Sequence, residues 1–71
     1  MDHLGDRLKR ERKKHLLSQE EVAEKLGVEA RTVRRWESGA AIPQPYHQRK
    51  LCELYDIDPA ELWQMIEDRS H

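Results

Sequence analysis

The residues best suited to chemistry in this chain are three arginines in one short stretch, "GVEARTVRRWESG" at residues 27–39. Arg31, Arg34 and Arg35 are interleaved there with Val33 and Trp36. A guanidinium offers two parallel N–H donors, the right shape for a phosphate or for the O6 and N7 acceptors of guanine. No comparable grouping supports catalysis or metal binding. Among four histidines (His3, His15, His47, His71) and Cys52, only His47 and Cys52 lie within five residues of each other, with no second pair to complete a metal-ligand set. No serine, cysteine or carboxylate has a partner arrangement for nucleophilic or acid–base work, and a chain of 71 residues has little room for a pocket. The residues therefore read as a binding protein, not an enzyme, with no metal and no cofactor.

The arginines act together only if one element points them the same way. A helix from Ala30 to Ser38 does so. At about 100° per residue, with Ala30 at zero, Arg34, Ser38, Arg31 and Arg35 fall at about 40°, 80°, 100° and 140°. Thr32, Trp36, Val33 and Glu37 fall at about 200°, 240°, 300° and 340°. Val33 and Trp36 belong in a core, so the arginines project outward, with no acid on their own face. Ala30, small and at the tip, permits close approach to a surface.

Local signals place this helix third of five, in an all-α chain with no alternating strand pattern. The first helix spans about Leu4 to His15. "SQEE" is a capping box that starts the second at Ser18, with Leu17 and Val22 set as a hydrophobic staple and Gly27 as the stop. About three residues then lead to the third helix, which Ser38-Gly39 ends. "AAIPQP" is an extended connection to a fourth helix from Pro45 to Tyr55. "DIDPAEL" opens the fifth, with Asp58 as cap and Glu61 at the capping-box position. A capped helix, a tight turn and a basic outward helix make a helix-turn-helix reader of DNA, with its core at about residues 18–38.

The totals fit one small domain over residues 1–71. Charged residues make up 38 % and the formal net charge is -1, but the sign is unevenly spread. Residues 1–17 carry six cations against three anions, and residues 56–71 carry one cation against five anions. Screening confines such charge to roughly 8–10 Å, so a basic face can bind a polyanion despite an acidic end. Cys52, between Leu51 and Glu53 and close to Leu54, reads as a small core residue in a reducing compartment. No apolar run approaches the ~20 residues of a membrane span, and the start lacks the apolar stretch of a secretion signal. A cytoplasmic protein is expected.

The stretches "LSQEEVAEKLGV", "TVRRWESG" and "LCELYDIDPAEL" resemble the lambda-repressor-like, xenobiotic-response-element class of helix-turn-helix proteins. The likeness covers roughly residues 4–66 and is similar to the N-terminal modules of larger bacterial regulators. It implies a chain that is either a small free-standing regulator or a module of a longer one. It also implies double-stranded DNA as partner, with Ala30, Arg31, Thr32 and Arg35 at base-reading positions. Gln19, at the start of the second helix, would bond a phosphate, with Arg34 near the backbone. Ser38 and the amides after Gly39 would also face phosphate. The resemblance also makes Arg12 and Glu37 a buried ion pair. Glu37 falls beside the core face, where an unpaired carboxylate would be costly, and an arginine from the first helix would resolve that.

Two departures from the family pattern carry expectations. Ala40 and Ala41 stand where lysine or arginine is common, so affinity is expected to be modest unless Lys9, Lys13, Arg49 or Lys50 contributes. Leu16 stands where many relatives have glycine, and a left-handed leucine is strained, so the loop is expected to differ there. Trp36 is expected in the core. Trp63, with Met65 and Ile66 on the last helix, has two placements: folded back on Leu54 and Ile57, or outward as a contact for a weak or DNA-assisted homodimer on a palindromic operator. The alternative to DNA reading is a protein-interaction module that uses the fifth helix and the acidic C-terminal end.

Overall fold

A computed structural model describes residues 3–69; His71 lies outside them. Five helices follow in order: α1 (Leu4–Lys14), α2 (Gln19–Leu26), α3 (Ala30–Ser38), α4 (Pro45–Tyr55) and α5 (Pro59–Arg69). The described residues contain no strand. α1 ends one residue earlier than expected, with His15 as its C-cap. The His15 amide and ring Nδ1 both donate to the Glu11 carbonyl, at 3.0 and 2.8 Å.

The helix ends lie where local chemistry puts them. Ser18 Oγ accepts the Glu21 amide at 3.0 Å, and the Ser18 amide donates to Glu21 Oε1 at 2.8 Å, closing the capping box. These bonds, the backbone one foremost, hold the Glu21 carboxyl below its ordinary value. Gly27 ends α2 in the left-handed region at φ 73°, and Gly39 ends α3 at φ 85°. Pro45 occupies the first turn of α4, where its missing N–H costs nothing.

One core joins all five helices, built on Leu8, Val22, Val33, Leu51, Tyr55 and Leu62. Trp36 is buried as expected, and so is Cys52, whose thiol burial pushes above its ordinary value. α3 packs against both α1 and α2 and so lies between them. Gly5 allows the α1 contact. A β-carbon there would stand 2.5 Å from the Glu37 carbonyl oxygen and 2.8 Å from that of Trp36.

Three expectations need correction. The loop at Leu16 does not avoid the left-handed conformation: Leu16 adopts it at φ 59°, with its side chain 90 % exposed. Its amide bonds the Lys13 carbonyl, and the next amide, of Leu17, bonds that of Arg12, at 3.0 and 3.1 Å. That helix-ending geometry prevails over the leucine's preference. Glu61 does not turn back to close a capping box, because Arg7 of α1 binds its carboxylate. Asp58 still caps α5, accepting the Ala60 amide at 2.9 Å. Of the two placements for Trp63 the outward one is found, at 58 % exposed, whereas Met65 and Ile66, grouped with it as contacts, are partly buried against the core beside Leu62.

Candidate nucleic-acid interface

α3 is divided as its sequence requires. Val33, Trp36 and Glu37 are buried, and Arg31, Arg34 and Arg35 are all exposed. Among the described residues no carboxylate forms an ion pair with any of the three. Ala30 and Thr32 are half-buried rather than outward. The turn Gly27–Glu29 draws the first turn of α3 onto α2, and Ala30 packs against the core there.

The inner side of α3 is fixed by ionic bonds. Arg12 reaches from α1 to Glu37 with two donors: Nε to Oε2 at 2.7 Å and Nη2 to Oε1 at 3.1 Å. Its third nitrogen, Nη1, donates to the Leu17 carbonyl at 2.9 Å. The bond to Glu37 holds the Arg12 guanidinium above its ordinary value. Tyr55 lies close by; burial, and secondarily the Glu37 charge, push its phenol well above the ordinary range. A buried carboxylate with this many donors avoids the penalty of an isolated charge.

Gln19 is half-buried at the start of α2, and its Nε2 donates to Glu37 Oε1 at 3.1 Å. The Glu37 carboxylate thus meets side chains from both α1 and α2. No sequence signal links residues 18 apart, and this contact was not legible in the chain. Arg7 was also missed as a binding partner. It bonds Glu11 one turn on, at 3.0 Å, and Glu61 of α5, and the second bond most strongly raises its guanidinium above the ordinary value. The four-residue spacing of Arg7 and Glu11 was a usable signal; the reach to Glu61 had none.

The end of α3 differs in one respect from expectation. The amides of Ala40 and Ala41, placed toward phosphate by the family likeness, both donate to the Arg35 carbonyl, at 2.9 and 3.2 Å. Helix closure uses them. Exposed Ser38 Oγ also donates to that carbonyl, at 3.2 Å. Beyond the loop, the His47 ring lies tilted against Trp36 with ring centres 5.4 Å apart, and Lys50 Nζ sits 5.2 Å over the Tyr46 ring. Lys50 is therefore partly engaged, whereas Lys9, Lys13 and Arg49 are exposed.

Among the described residues no group of three or more His, Cys, Asp or Glu side chains is placed to hold a metal ion. No helix there is long and apolar enough to cross a membrane. A family model described as a helix-turn-helix domain matches residues 3–64, and the chain belongs to that family. Among curated proteins none matches it. Among solved structures it is similar to the P22 c2 repressor in complex with synthetic operator 9T in the presence of Tl+. The TM-score is 0.81 at 22 % identity, covering 87 % of this chain and 94 % of that one. The fold is lambda-repressor-like.

Proposed function

We propose that this protein binds double-stranded DNA at particular sequences, with α3 in the major groove, and regulates transcription in the cytoplasm. The observation that carries this reading is the exposed set Arg31, Arg34 and Arg35, without an ion pair among the described residues, on a helix whose opposite side is locked into the core. Arg31 and Arg35 read guanine, with Ala30 and Thr32 shaping the approach to neighbouring bases. Arg34 binds backbone phosphate. Gln19 does so at the start of α2, where helical amides lack intrahelical acceptors and the dipole favours an anion. Ser38 joins them by rotating its hydroxyl away from the Arg35 carbonyl. The P22 c2 repressor complex with its operator supports duplex DNA as the partner of this fold.

Residues 1–71 act as one helix-turn-helix unit in this reading. A palindromic operator takes two copies, weakly paired through Trp63 with Met65 and Ile66 beside it. Selection of bound duplexes from a random library, followed by titration at several salt concentrations, tests the function. Enrichment of a shared motif, with log K falling linearly against log salt, is the expected result. Binding without motif and without salt dependence would overturn it, and would favour a protein-docking role instead.

A further inference from the structure

The Gln19–Glu37 contact carries a consequence for how α2 meets DNA. A side-chain amide free in solvent presents nitrogen or oxygen with little preference, and only the nitrogen can donate to a phosphate. Glu37 is an acceptor when ionised, and the two Arg12 donors on it favour that form. The Gln19 amide can therefore bond Glu37 only through Nε2, as it does at 3.1 Å. The amide nitrogen carries two hydrogens and this bond uses one.

We propose that Glu37 is a positioning residue for DNA binding: its buried carboxylate fixes the Gln19 amide so that a second N–H is held ready for a backbone phosphate. The inference rests on the reading of the α2 N-terminus as a phosphate contact. It adds that the contact is set from α3, through a residue that never touches DNA. Because Glu37 lies in the last turn of α3 and is clamped by Arg12 of α1, one carboxylate fixes the phosphate contact relative to the reading helix. Ordering the amide before binding removes a rotamer cost from association.

The test uses a duplex selected by the wild-type protein, with single phosphates replaced by methylphosphonate one at a time. Wild type should show one position where replacement costs roughly fivefold to tenfold in affinity, one hydrogen bond's worth, and which becomes silent in Gln19→Ala. In Arg12→Met/Glu37→Leu, which replaces the ion pair by apolar side chains but keeps Gln19, the effect at the same position should shrink while the other positions keep theirs. A merely structural role would scale all positions alike. If that position keeps its full effect in the folded double variant, or if the double variant binds DNA more tightly, positioning by Glu37 is overturned while DNA reading stands.

A second measurement needs no variant. In nuclear magnetic resonance of the free and DNA-bound protein, one Gln19 side-chain amide proton should exchange slowly in both states. Rapid exchange of both protons in the free protein, or loss of protection on binding, overturns the proposal. A wild-type protein that selects no duplex overturns the functional reading and this inference together.

Discussion

Leu16 is held at φ 59° with 90 % of its side chain in solvent. A left-handed conformation costs an L-residue roughly 1–2 kcal/mol, and here little apolar burial offsets it. Leu16→Gly relieves that strain but gives the unfolded chain more freedom. The net expectation is a gain of up to about 1 kcal/mol, read as a higher urea midpoint at unchanged slope; an unchanged or lower midpoint contradicts it. At Glu37 the sign reverses. Removing one member of its nearly buried pair with Arg12 leaves the other as a stranded charge. Glu37→Gln and Arg12→Met are each expected to cost roughly 3–5 kcal/mol, and together far less than their sum. Independent losses below 1 kcal/mol in denaturant melts would mean that the pair contributes nothing.

Among the elements, α3 takes its position from contacts of two kinds. The α2 side is held by the short turn and by apolar packing, and the α1 side by Arg12 and by the close approach at Gly5. Alanine is the better helix former by about 1 kcal/mol, yet at position 5 its β-carbon meets two backbone carbonyls of α3 that cannot step aside cheaply. Gly5→Ala is expected to destabilise by roughly 1–3 kcal/mol and lower the melting temperature; an alanine variant as stable as wild type would show that α1 and α3 are less tightly set. Helix limits were legible because their causes are local: Ser18 with Glu21, Gly27, Gly39 and Pro45 each act within a turn. The outward set of arginines was legible from the 100° step alone. Contacts across the fold were not. Gln19 with Glu37, and Arg7 with Glu61, depend on packing that brings distant segments together. Glu61 shows the result: its spacing from Asp58 fits a capping box, but an arginine 54 residues earlier provides a stronger partner.

For the whole molecule, a net charge of -1 means that binding rests on a few placed cations rather than on an overall field. On the proposed dimeric reading, one copy has limited affinity and a second copy about one helical turn away, ~34 Å, compensates. Trp63, exposed and of the residue type that dominates interface hot spots, is the anchor proposed for such pairing. Sedimentation with a palindromic duplex is expected to show cooperative loading of two wild-type copies and independent loading of Trp63→Ala. Cooperative loading by the folded variant would exclude this surface.

The claim on which the rest depends is that α3 reads base pairs through its arginines. The most direct measurement compares wild type and Arg35→Ala on the selected duplex and on its set of single base-pair substitutions. Arg35→Ala is expected to lose about 1–3 kcal/mol on the selected site and to become indifferent to the base pair at one position. Affinity and base preference both unchanged in Arg35→Ala, and again in Arg31→Ala, would contradict it.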